Sequence, residues 1–197
     1  MFLWRAFRLL VLGVLAFHLF LFVSHHLAHH PASEYAAAQS ADRRDSPLYF
    51  SPDTNLEEVD IGMIDHAQHS IDVAMFAFTD RRIAAALRRA AERGVKVRIY
   101  RDRGHNEDEE QRGGSVRAII AGEPNISIKV KNSKELMHEK VALYDGHLLR
   151  DGSSNWSISA ARYQDNEISV SDNAAMAHAF ASDFERMWSR PDNTGIQ

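Results

Sequence analysis

An imidazole and an ammonium two residues apart, His138 and Lys140, are followed at fixed distances by Asp145, Gly152, Ser153 and Asn155 in the stretch HEKVALYDGHLLRDGSSN. On an extended strand residues i and i+2 share a face, which puts the two Cα atoms about 6–7 Å apart with both side chains on one side. Lysine brings three donors and a positive charge, asparagine adds an uncharged donor, and a neutral imidazole offers a ring nitrogen able to attack phosphorus in line. Gly152 opens a turn in which backbone N–H groups, the Ser153 hydroxyl and the Asn155 amide gather around an anion. The set describes a phosphate pocket, and nothing in it calls for a metal or a cofactor.

The order H-x-K-x4-D-x6-G-S-x-N resembles the signature of the phospholipase D superfamily. Six fixed identities at fixed spacing arise by chance about once in ten million start positions, taking each residue at roughly one in fifteen. The similarity extends through LYFSPD, SIDVAMFAFT, ERGVKVRIY and GSSNWS, over residues 47–190. Within the superfamily it resembles the single-motif subgroup, the small bacterial phospholipase-D-like endonucleases and the mitochondrial cardiolipin hydrolase/nuclease. The resemblance implies catalytic roles for His138, Lys140 and Asn155, substrate contacts from Lys140, Ser153 and Asn155, and a supporting role for Asp145. That aspartate is also what a hairpin turn places before a glycine. Glu167 lies where the bacterial nucleases carry a glutamate hydrogen-bonded to the nucleophilic His. A carboxylate on one ring nitrogen fixes the tautomer and makes the other more nucleophilic.

Most superfamily members carry two motifs per chain and this sequence has one, so the resemblance implies a homodimer with the active site on its two-fold axis. One His138 attacks phosphorus while its twin protonates the leaving oxygen, giving a covalent phosphohistidine that water hydrolyses. The implied activity is metal-independent phosphodiester hydrolysis, first of DNA or RNA without much sequence preference. A phospholipase D or cardiolipin hydrolase acting on phospholipid is the alternative, and an idle membrane-tethered binding protein a second one.

Composition narrows the setting. The chain has 197 residues, no cysteine and a net charge of -4, so neither disulfides nor thiolate metal sites are available. Arg5 and Arg8 are the only charged side chains before Pro31, which leaves the remainder more acidic still and argues against a generally basic, nucleic-acid-coating surface. Residues 1–30, cationic and then apolar, read as a signal peptide or a membrane-anchoring hydrophobic helix that exports the domain. Residues 31–46 read as a linker and 191–197 as a tail. The histidines at 25, 26, 29 and 30 fit i,i+4 metal pairs, although a polar spacer is the simpler reading.

The elements that must position the motif read as an α/β fold, a phospholipase D-like layering of a mixed, largely parallel sheet flanked by helices. Asp53 opens a helix running to about His69, residues 70–79 form a buried strand, and Asp80 caps a helix whose stripe is Ile83, Ala86, Leu87 and Ala90 and whose stop is Gly94. Residues 95–100 form the next strand, so strand, helix and strand make a right-handed parallel unit. The charged, aperiodic run 101–114 reads as a surface loop, with Arg101, Arg103 and Arg112 as weak candidates to line the approach for a polyanion. A short helix at SVRAIIAG, a strand at ISIKV, a strand from Met137 carrying the motif, a strand at EISV and an amphipathic helix over 172–188 complete the order. Trp156 reads as core; His66, His69, His105, His147 and His178 have no placed partners.

Overall fold

The computed structural model describes residues 46–196. The expected N-terminal hydrophobic helix, almost all of the linker and the clustered N-terminal histidines lie outside the described residues. Among the described residues no helix is long and apolar enough to cross a membrane.

Eight strands of the described residues form one sheet: β1 (Leu48–Ser51), β2 (Ser70–Met75), β3 (Lys96–Asp102), β4 (Ile126–Lys131), β5 (Lys140–Tyr144), β6 (Leu148–Gly152), β7 (Asn166–Ser171) and β8 (Thr194–Ile196). Their order is β1-β7-β6-β5-β2-β3-β4-β8. Among the described residues six helices accompany them: α1 (Leu56–His66), α2 (Arg81–Glu92), α3 (Arg103–Gln111), α4 (Ser115–Ile120), α5 (Ile158–Arg162) and α6 (Ala174–Trp188).

The expectation of a largely parallel sheet is corrected. Only the β2–β3 and β3–β4 pairs are parallel, and the other five pairings are antiparallel. Parallel neighbours need a crossover, and only β2 to β3 and β3 to β4 are joined through helices that supply one. Between β4 and β5 no helix intervenes, and β5 returns antiparallel beside β2 and continues through the Asp145-Gly146 hairpin into β6.

The sheet is covered on both faces. On one face Ile71, Val73 and Met75 of β2 pack with Ile64 of α1, Ile83, Ala86, Leu87 and Ala90 of α2 and Val116 of α4. On the other, Ala74, Tyr100, Leu143 and Leu149 pack with Ala177, Phe180, Phe184 and Met187 of α6. Alternation within β2 therefore sends Ile71, Val73 and Met75 into one core and Ala74 into the other, while half-buried Asp72 pairs with Arg98 of β3.

The α2 reading holds in detail. The Asp80 carboxylate accepts from the Arg82 and Ile83 N–H groups, at 2.9 and 3.2 Å. At the other end Gly94 adopts φ +94°, and the N–H groups of Gly94 and Val95 donate to Ala91 and Ala90, closing a Schellman turn.

Elsewhere local competition moved the boundaries. Asn55, not Asp53, caps α1, accepting from Glu57 N–H at 3.2 Å, because Thr54 N–H is turned back onto Phe50 O and the chain becomes helical only at buried Leu56. On α6 Ala175 and Ala179 are exposed, and Ala177 takes the inward position. Within the expected tail, Thr194–Ile196 form β8, which pairs with β4 and extends the sheet.

The run 101–114 is not a loop. It holds the end of β3 and all of α3, capped by the Asp102 side chain on His105 N–H. Its buried positions are Asn106 and Glu109, so the helix carries no apolar stripe for periodicity to detect. Arg101 is buried rather than open to a polyanion: it donates to Phe78 O at 3.0 Å and faces Glu109 at 3.7 Å.

Candidate active site

Lys140 is the first residue of β5, and His138 stands just before the strand rather than on it. The two side chains nevertheless meet. Lys140 Nζ lies 3.4 Å from His138 Nδ1 and donates to His138 O at 2.7 Å. The imidazole is exposed, while Lys140 is only 9 % accessible. Burial, with the Arg150 charge behind it, holds the Lys140 ammonium below the ordinary lysine value.

Phe76, on the exit from β2, forms the floor beneath both groups. Its ring lies 4.4 Å from that of His138 and 5.0 Å from Lys140 Nζ. His105 of α3 packs edge-on against the same phenyl at 4.1 Å. Asp102 ties the two segments together, accepting from His105 N–H at 3.2 Å and from Met137 N–H at 3.0 Å. The sequence offered no signal for Phe76 or His105, because the contact joins residues far apart in the chain.

The turn after β6 delivers the remaining motif residues. Asn155 Oδ1 accepts from Ala77 N–H at 3.1 Å, which fixes the carboxamide and leaves its NH2 group to donate outward. Trp156 O accepts from the Thr79 and Asp80 N–H groups, so the motif turn is bonded to the same β2 exit that carries Phe76. Trp156 itself is fully buried, edge-on to Phe78 at 5.2 Å, as expected of a core residue.

Ser153 Oγ lies 2.7 Å from Glu167 Oε2 and 2.9 Å from Asn166 Oδ1, and accepts from Glu167 N–H at 3.1 Å. Its single proton serves one of the two acceptors at a time. Glu167 is thus beside the motif, but its hydrogen bond goes to Ser153, and among the described residues none joins it to His138. Gly152 explains how β7 comes so close. At φ +154°, a Cβ there would sit 2.3 Å from Glu167 O and 2.8 Å from Ile168 Cα, so only glycine fits.

Asp145 is not brought to the site. It lies past the far end of β5, about five residues and some 16 Å from Lys140 at strand rise, and its carboxylate accepts from the N–H groups of Gln68 (3.0 Å), His69 (2.7 Å) and Ser70 (3.0 Å). Partial burial raises its pKa, but the three N–H donors outweigh that and hold the carboxyl below the usual range. At φ +51° it occupies the left-handed turn position that aspartate tolerates. Among the described residues no cluster of three or more His, Asp or Glu is placed to hold a metal ion.

Of the three buried cations among the described residues, Arg101 faces Glu109 and Arg150 is paired with Asp60. Lys140 meets no carboxylate. A buried charge without a counterion is costly, and an arriving anion removes the cost. The arrangement can bind an anionic group against Lys140 and the Asn155 NH2 beside an exposed imidazole.

The family described as cardiolipin synthase, phospholipase D-like domain matches residues 61–188. The chain belongs to the phospholipase D-like family. It is 29% identical over 126 residues to the mitochondrial cardiolipin hydrolase of Xenopus tropicalis, covering 64% of this chain and 58% of that protein. The mouse mitochondrial cardiolipin hydrolase is 28% identical over 130 residues, covering 65% and 56%. The chain therefore spans less than three fifths of the length of these curated relatives. Among solved structures, NucT from Helicobacter pylori superposes with a TM-score of 0.69 at 25% identity, covering 77% of this chain and 99% of that one. Nuc from Salmonella typhimurium, a phospholipase D family member, superposes at 0.68 and 24%, covering 78% and 98%.

Proposed function

We propose that the protein is a phosphodiesterase that hydrolyses its substrate through a covalent phosphohistidine, acts without a metal, and takes DNA or RNA with little sequence preference. The observation that carries this reading is the buried, unpaired Lys140 ammonium 3.4 Å from an exposed imidazole. In this scheme Lys140 and the Asn155 NH2 hold two phosphoryl oxygens, and a ring nitrogen of His138 forms a bond to phosphorus as the bond to the leaving oxygen breaks. That oxygen needs a proton, which a His bonded to phosphorus cannot give, so His138 of the partner subunit gives it. The same partner imidazole then takes a proton from water, whose oxygen displaces His138 from phosphorus. Glu167, bonded to Ser153 beside the motif, is the carboxylate that on substrate binding turns to the imidazole and orients it.

A homodimer follows from this division of labour. Leu136, 61% exposed, and Tyr163, 74% exposed, lie on segments leading into and out of the motif, and exposed Ile158 lies between Asn155 and Tyr163. Large apolar side chains left in water beside a half-built site support a second copy as their cover. The N-terminal hydrophobic segment supports export, with the catalytic domain outside the cytoplasm as a periplasmic or membrane-anchored protein.

The second reading is hydrolysis of a phospholipid, favoured by the similarity to cardiolipin hydrolases. The two are separated by incubating the full chain, in detergent, with plasmid, single-stranded DNA, RNA and cardiolipin vesicles, all in EDTA. The expected result is nucleic-acid cleavage that is lost in His138→Asn. Cleavage confined to vesicles moves the assignment to lipid, inhibition by EDTA removes the metal-independent mechanism, and no cleavage of any substrate leaves a binding protein.

A further inference from the structure

The buried pair of Arg150 and Asp60 has no part in the scheme above, yet it touches both halves of the motif. Arg150 is 0% exposed and Asp60 2%. The guanidinium meets the carboxylate through two hydrogen bonds, Nε to Oδ1 at 2.9 Å and the terminal nitrogen to Oδ2 at 3.1 Å. Two further donors reach the backbone, to Lys140 O at 2.7 Å and Ser154 O at 3.0 Å. One planar cation therefore joins α1, the first residue of β5 and the turn immediately before Asn155.

Those two carbonyls belong to the catalytic lysine and to the residue preceding the catalytic amide. The sequence separates Lys140 from Ser154 by a hairpin, and the β5–β6 ladder pairs only Ala142, Leu143 and Tyr144 with their partners. At the site end of the hairpin Arg150 takes over from that ladder. Arginine suits the task because its donors are fixed in a rigid fork, and lysine cannot reach the same acceptors from one point.

We propose that Arg150, held by Asp60, is a positioning residue for phosphodiester hydrolysis, clamping the Lys140 and Ser154 carbonyls so that the ammonium and the Asn155 amide stay at the spacing of one phosphoryl group. The proposal rests on the reading of Lys140 and Asn155 as phosphate ligands. It gives Asp60 the accompanying role of orienting the fork and neutralising its charge.

A merely structural pair and a positioning pair respond differently to joint replacement. Apolar side chains of similar size commonly restore the stability of a buried ion pair, but they cannot donate to the two carbonyls. The test is Asp60→Leu/Arg150→Met, followed by melting temperature, kcat, KM and a crystal structure. Melting is expected near wild type, kcat about 100-fold lower and KM little changed, as for a small misplacement of catalytic groups. The crystal structure is expected to show Lys140 O and Ser154 O shifted relative to each other. Wild-type kcat, or the two carbonyls in their present places, overturns the proposal.

Arg150→Lys covers the case in which the double variant does not fold. It keeps the charge against Asp60, so it is expected to fold and to lose kcat by about tenfold or more. Unchanged kcat, or collapse of the fold with the charge retained, overturns the positioning role. If the wild type cleaves no phosphodiester, the reading of Lys140 and Asn155 fails on its own, and the crystal structure of the double variant still decides whether Arg150 sets their spacing.

Discussion

The two ends of β5 carry residues of one sequence motif and do unlike things. At the Lys140 end a buried cation is left without a carboxylate among the described residues, beside an exposed ring and an amide anchored through its oxygen alone. At the Asp145 end a charged side chain is fully occupied, gathering three backbone N–H groups of the α1–β2 turn. A charge left short of partners has interaction energy to offer a ligand, whereas one whose hydrogen bonds are made internally holds the fold. Fixed spacing in a sequence therefore marks residues that are needed without saying which of the two needs they serve.

Substitutions at the two ends should separate in the same way. Lys140→Met is expected to lower kcat by about a thousandfold, because in the proposed scheme it removes the buried positive charge that meets the developing phosphoryl anion, while melting temperature holds or rises. Steady-state kinetics and calorimetry on the same preparation check both halves, and an active Lys140→Met protein would erase the distinction.

Gly152→Ala should damage both properties at once. The added Cβ has nowhere to go but into the β7 backbone at Glu167, so a loss of about 2–4 kcal/mol in stability is expected, with Ser153 and Glu167 displaced. Denaturant titration measures the loss, and an unchanged midpoint would mean that β7 can retreat from β6.

Asp145→Ala is the smallest. Its turn hydrogen bonds contribute about 1–2 kcal/mol, and kcat per folded molecule should stay at the wild-type value. Because the folded carboxyl titrates below its unfolded value, this stabilisation is present at pH above the unfolded pKa and disappears as pH falls through the folded one. The gap between wild type and variant should therefore close in acid, and stability measured by urea titration from neutral to strongly acidic pH follows it. A kcat that falls with the substitution would return Asp145 to the site.

Much of the architecture was legible because local signals agreed with the tertiary outcome. The cap at Asp80, the stripe through Ala90 and the stop at Gly94 each act within a few residues, so α2 and its parallel neighbours could be read directly. The antiparallel half was harder: its strands are short, and β6 hides an arginine on the face it shares with Leu148. A charged residue at an inward strand position was the signal for Arg150, and it has meaning only once β6 is known to be a strand. α3 was missed because its inward positions are polar and its partners lie on β3 and in the first turn of α4.

By itself the sequence determined the chemistry on offer, since the identities and spacing of His138, Lys140, Ser153 and Asn155 survive any reading of the surrounding elements. It also determined the β2–α2–β3 unit, whose capping and periodicity are local. Only the tertiary structure decided which motif residues stand together, sending Asp145 to the opposite end of its strand and bringing Phe76, His105, Asp60 and Arg150 to the site. Those placements depend on pairing register and on burial of charge between distant segments, and neither leaves a trace within a window of a few residues.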